Sequence, residues 1–187
     1  MNKEEKTLKE NLIYDGKIIK LYNDDVICPN DMKATREYIV HPGGVCILPI
    51  IGEYVLLIKQ YRYAYRKELY ELPAGKLEKG ETPIEAAKRE LEEETGYKAD
   101  NFIPLGHVYP TCGYTNEVIH LFAAEVTSKG KSHPDADEFV ETELIKLEDL
   151  VRMIDNDGIK DAKTVIAVLK YINFIKNKDK VPNINII

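Results

Sequence analysis

Between Leu72 and Tyr97 the sequence LPAGKLEKGETPIEAAKRELEEETGY holds seven glutamates between Gly75 and Gly96, four of which (Glu81, Glu90, Glu93, Glu94) accompany its one guanidinium, Arg89, as candidates for chemistry. At about 100° per helical residue, Ile84, Ala87 and Leu91 share one stripe, while Glu90, Glu93 and Glu94 run along its flank. Like charges one turn apart repel, so such a cluster suits a cation that turns repulsion into coordination. Oxygen-only ligands select a hard ion, Mg²⁺ or Mn²⁺, which keeps part of its shell for water and substrate phosphate. Arg89 lies one turn before Glu93 and can hold that carboxylate in place.

The elements that must position these groups are legible nearby. Thr82 can cap a helix, Pro83 suits its first position, and Glu85 closes a capping box. Gly96 marks the stop. Upstream, VCILPII and YVLLIKQY are near-continuous apolar runs separated by Gly52-Glu53, as expected of central strands covered on both faces. Gln60-Tyr61-Arg62-Tyr63 leaves that sheet, and Leu69 to Leu72 leads into the glutamate-rich stretch.

The rest of the chain reads as follows. Residues 1 to 10 form a polar lead-in, and Leu12 to Leu21 alternates around Asp15-Gly16, a hairpin signal. Val26 to Cys28 and Ala34 to His41 read as further strands. This N-terminal extension has few large apolar residues for its own core, so it must lean on the main domain or on a second copy of the chain. Phe102 to Tyr109 and Glu117 to Val126 are strand-like around the loop PTCGYTN. Thr127 to Asp137 reads as a polar loop, Phe139 to Leu147 as a strand, Leu147 to Asp155 as a short helix, and Asp161 to Lys176 as a core helix. The expected domains are residues 1–42, 43–177 and a loose tail, 178–187.

The chain has 187 residues, 31% of them charged and 44% hydrophobic, with net charge -6, as in a soluble globular protein without a basic stripe for nucleic acid. Cys28, Cys46 and Cys112 make no CxxC pair and read as reduced thiols of a cytoplasmic protein. The N-terminal MNKEEKTLKEN is charged throughout and Val45 to Ile51 is far short of a membrane span, so neither export nor membrane association is expected. His41, His107, His120 and His133 share no metal spacing.

A solvated surface helix would also carry acids and an arginine. The full spacing is more demanding: Gly75, five residues, Glu81, seven residues, Arg89-Glu90-Leu91, one residue, Glu93-Glu94, one residue, Gly96. It resembles the Nudix box, departing only at Tyr97, where the family usually has an aliphatic residue. Outside the box, ATREYIVHPGGVCILPI, KQYRY, ELPAGKLEKGE and YTNEVIHLF look like the ADP-ribose pyrophosphatases of that family, over about residues 12–175.

The resemblance implies an α/β (α+β) Nudix fold, a mixed β-sheet sandwiched between helices, with an N-terminal β-rich dimerisation extension. It implies Mg-dependent hydrolysis of ADP-ribose to AMP and ribose 5-phosphate by a homodimer acting on a small nucleotide sugar. Hydrolysis of another nucleotide sugar or a dinucleotide, or a non-catalytic ADP-ribose sensor, are the alternatives. Matched position by position, Glu90, Glu93, Glu94, Glu138 and the Ala74 carbonyl are metal ligands. Glu93, Glu90, Glu138 and Asp137 are the catalytic candidates, and Ala136 stands where relatives often place an acidic base. Arg62 grips the diphosphate. Arg36, Tyr22, Glu71, Glu117 and Cys112 join it as substrate-binding candidates, Cys112 standing where a proline is typical. Gly75, Glu81, Arg89 and Gly96 shape the motif.

Overall fold

The structure, a computed structural model, describes residues 2–133 and 139–177. Asp137, Glu138 and the tail from 178 therefore lie outside the described residues. The chain divides into two compact units, one formed by 1–43 with 109–118, the other by 44–108 with 119–187.

In the second unit, β5 (Gly44–Ile51) and β6 (Tyr54–Arg62) form the expected central hairpin, closed by the Ile51↔Tyr54 pair. Along β5, Val45 and Ile47 face the helix α1 (Pro83–Thr95), packing with Ala86, Ala87 and Leu91. Cys46 and Leu48 face the other way, toward α2 (Leu147–Asp155) and α3 (Ala162–Asn177), joining Leu150, Ala167 and Val168. Both faces are covered, which is why the strand shows no polar alternation.

β10 (Ile119–Lys129) runs parallel to β5 on one edge, with β9 (Tyr97–Val108) beyond it, while β11 (Val140–Lys146) pairs antiparallel with β6. The sheet is thus mixed and held between helices, as expected. Its unusual feature is a wedge: β5 and β6 pair only near their turn, and further along β7 (Lys67–Glu71) pairs with β6 while β8 (Ala74–Lys76) pairs with β5. The chain from Glu71 through Pro73 to Gly75 is thereby threaded between the two central strands. The Pro73 carbonyl accepts the Ile47 N–H at 2.9 Å.

In the first unit, β3 (Lys20–Ile27) is one continuous strand, paired on one side with β4 (Lys33–Val40). On its other side β1 (Lys6–Lys9) and β2 (Leu12–Asp15) lie end to end. Two expectations are corrected here. The lead-in contains a strand, and the hairpin is closed by Gly16–Ile19, with Gly16 N–H donating to the Ile19 carbonyl, rather than by a two-residue Asp15-Gly16 turn. Asn11 explains the break between β1 and β2: its backbone N–H donates to Asp24 Oδ1 and its amide to the Asn23 carbonyl and Asp25, so the strand edge is closed by a side chain at that point. Further along the chain, the loop expected from Thr127 begins later, because β10 continues to Lys129 against the start of β9.

Candidate active site

The box helix begins and ends where local chemistry requires. Thr82 Oγ1 accepts the Glu85 N–H while the Glu85 carboxylate accepts the Thr82 N–H, a reciprocal capping box. Gly96 closes it in the left-handed region at φ 74°, and a Cβ there would also lie 2.7 Å from the Ser132 nitrogen. Only glycine meets both demands.

The helix sets its acids directly on the three-residue strand β8. An ideal Cβ on Gly75 would sit 1.9 Å from Glu90 Cδ, so the Glu90 carboxylate occupies the space that any side chain at 75 would fill. One turn on, Glu94 is buried and its Oε2 accepts the Ala74 N–H at 2.9 Å. Two carboxylates from one helix face thus converge on two consecutive residues of a threaded strand. Glu93, at 44% side-chain exposure, reaches solvent.

Arg89 braces the cluster from beneath. Its Nε and Nη2 fork binds the Glu81 carboxylate at 2.8 and 2.9 Å, Nη1 donates to Glu90 and Glu93 at 2.9 Å each, and Nη2 also reaches the Lys76 carbonyl. One guanidinium therefore ties loop, strand and helix together, as a planar fork can and an ammonium cannot. The Glu81 hydrogen bond, with the charges of its neighbours, raises Arg89 far above its ordinary value, and Arg89 in turn holds Glu81 below the usual carboxylate range.

Carboxylate oxygens such as those of Glu90, Glu93 and Glu94 suit a hard divalent cation, while among the described residues no three such side chains converge into a metal site as they stand. The missing Cβ at Gly75 is what leaves room for the Glu90 carboxylate, beside the Ala74 N–H that Glu94 accepts.

Arg62, at the end of β6, lies within electrostatic range of Glu94. Its Nε and Nη2 bind Glu71 bidentately, both at 2.6 Å. Glu71 itself is buried, so it orients the arginine from behind. Burial would raise the Glu71 carboxyl, yet Arg62 and Lys163 together hold it below the ordinary value.

The remaining substrate candidates belong to the first unit. Arg36 is engaged with Glu5, Tyr22 stacks on Tyr38 with ring centroids 5.2 Å apart, Glu117 lies 3.5 Å from His41, and Cys112 is exposed in the 110–114 turn. Sequence reasoning placed a helix from Asp161 but missed that Asp161, Lys163 and Thr164 at the start of α3 meet Glu71 and Leu72. A cap signal was present, since Asp161 accepts the Thr164 N–H at 3.0 Å, but nothing local points to Glu71.

A mixed sheet between helices, carrying a capped helix that docks two glutamates on a glycine strand, defines a Nudix domain. Residues 40–168 match the NUDIX domain family, and the chain belongs to it. Two curated relatives are each 42% identical over 168 residues, covering 88% of this chain and 91% of theirs: the ADP-ribose pyrophosphatase of Bacillus subtilis (strain 168) and the methanol dehydrogenase activator of Bacillus methanolicus. A crystal structure of an ADP compounds hydrolase superposes with TM-score 0.84 at 20% identity, covering 95% of this chain and 97% of that one, and shares the fold.

Proposed function

We propose that this Nudix hydrolase cleaves the diphosphate of ADP-ribose, with Mg²⁺, to AMP and ribose 5-phosphate. The observation that carries the reading is the docking of Glu90 and Glu94 on Gly75 and Ala74, an anionic cradle with the fork-shaped cation of Arg62 within electrostatic range of Glu94. The substrate follows from the likeness to the Bacillus subtilis enzyme over most of both chains. An equally similar relative is described by its effect on another enzyme, but the complete carboxylate set of the box here favours hydrolysis.

When bound, the metal offsets phosphate charge and lowers the pKa of water toward neutrality. Ala74, Glu90, Glu93, Glu94 and Glu138 would hold it. Arg62 binds the diphosphate, and Glu71 fixes the plane of its guanidinium. The oxygen of water joins one phosphorus as the bond from that phosphorus to the bridging oxygen breaks. Glu93, the most exposed box acid that Arg89 holds, accepts the proton of that water; Asp137 and Glu138 are the alternatives outside the described residues.

The enzyme acts as a homodimer in the cytoplasm. The strand β2, sequence LIYD, is exposed along its whole length although it carries three large apolar side chains, which supports cover by a second copy. Three free cysteines support a reducing compartment. Among the described residues no helix is long and apolar enough to cross a membrane.

The test is release of AMP from ADP-ribose with Mg²⁺, run beside other ADP-sugars, dinucleotides and nucleoside triphosphates. ADP-ribose should be the best substrate, and Glu94→Gln should lose at least about 10²-fold in kcat. Preference for a triphosphate would overturn the substrate assignment, and near-normal turnover of Glu94→Gln at saturating Mg²⁺ would overturn the role of the helix.

A further inference from the structure

The start of α3 carries a polar chain that the proposed reaction does not use. Lys163 has a side chain only 12% exposed, yet its Nζ donates both to the buried Glu71 carboxylate and, at 2.8 Å, to Asp161 Oδ1. Asp161 Oδ2 accepts the Thr164 hydroxyl at 2.6 Å, and Thr164 Oγ1 accepts the Leu72 N–H at 2.8 Å. One helix start therefore holds both the side chain of residue 71 and the backbone of residue 72, immediately before Pro73, Ala74 and Gly75. A buried lysine is costly unless its charge is matched. Here two acids, Glu71 and Asp161, face two bases, Arg62 and Lys163, so the group as a whole is neutral.

The pattern of sharing has a consequence for Arg62. A bidentate carboxylate orients a guanidinium well, but it also cancels the positive charge that a diphosphate needs. Lys163 draws on the same Oε2 that accepts Arg62 Nη2, so Glu71 is divided between two cations. Burial would push Lys163 toward its neutral form, and Asp161 and Glu71 override it, keeping the ammonium charged.

We infer that Lys163 is a positioning residue for the phosphate clamp: by sharing Glu71 with Arg62, it lets Glu71 aim the guanidinium without neutralising it toward the substrate. This rests on the reading of Arg62 as the clamp. A lysine that merely braced α3 would predict lost stability, with no specific effect on substrate affinity.

The experiment compares Lys163→Met, Arg62→Ala and the double variant in the full chain. It measures KM and kcat for ADP-ribose with Mg²⁺, the calorimetric Kd for ADP-ribose in EDTA, and Tm. Loss of a group that orients a ligand-binding side chain costs about 10- to 100-fold, so Lys163→Met should raise KM and the metal-free Kd by that order while kcat falls less. In the Arg62→Ala background the same substitution should have little further effect on Kd. Should Lys163→Met not yield folded protein, Lys163→Gln, which keeps a hydrogen-bond donor without the charge, takes its place. Unchanged KM and Kd in the single variant, or an undiminished effect on Kd in the Arg62→Ala background, overturns the inference. Full affinity in Arg62→Ala alone overturns the clamp reading itself and is recognised separately.

Discussion

Gly75→Ala adds one methyl group where the Glu90 carboxylate lies. The new Cβ would be 1.9 Å from Glu90 Cδ and 2.0 and 2.2 Å from its oxygens, whereas ordinary contact begins at 3.4 Å, so the carboxylate must withdraw by about 1.5 Å. The backbone itself does not object, because Gly75 is not among the glycines at positive φ. The obstacle is the end of a flexible side chain, and the stability cost includes the 2.9 Å Arg89–Glu90 hydrogen bond, about 1 kcal/mol. For a chain of this size that lowers Tm by roughly 2–4 °C. Function is less forgiving: displacing a catalytic group by about 1 Å can cost roughly 10²-fold. The expected result is a kcat/KM for ADP-ribose reduced about 10²-fold in a protein that melts almost normally. Because both changes act through one carboxylate, Gly75→Ala with Glu90→Gln should be little worse than Glu90→Gln alone. Activity close to wild type would refute the placement of Glu90, and a Tm drop of the order expected for a broken core would mean that the strand, not the carboxylate, needs the glycine.

Other outcomes can be checked with the same protein. Arg89→Met removes the brace and leaves three acids facing one another, so stability should fall by at least about 2 kcal/mol, seen in calorimetry as a Tm lower by roughly 4–8 °C. The Glu71–Lys163 pair sets a pH window. Glu71 is depressed, so its stabilisation is complete above the unfolded value of about 4.3 and fades as pH falls through the folded one; Lys163 is raised, so its share is complete below about 10.4 and fades as pH rises through its folded value. The Tm difference between wild type and Glu71→Gln should therefore be widest between those limits and shrink below about pH 4; a difference independent of pH would contradict the pairing. Sedimentation should give twice the 21.4 kDa chain mass, and a folded, fully active monomer starting at His41 would dispose of the dimer.

What the sequence determined by itself is local. The box helix was legible to the residue because Thr82, Pro83, Glu85 and Gly96 act within a few positions of one another, through caps and a left-handed stop. The central strands were legible because burial on both faces removes polar alternation, and the clustering of acids around Arg89 because three glutamates and an arginine keep helical spacing. Other features needed partners that sequence distance hides. The Lys6–Lys9 strand has no hydrophobic signature, since it forms only by completing the edge of β3, and β3 is continuous because β4 pairs along all of it. The wedge of β7 and β8 between β5 and β6 is a matter of pairing, invisible to periodicity. Lys163 reads as an ordinary polar residue on a core helix until the fold brings it to Glu71, 92 residues earlier in the chain, because a buried charge is tolerated only where tertiary structure supplies its counter-charge.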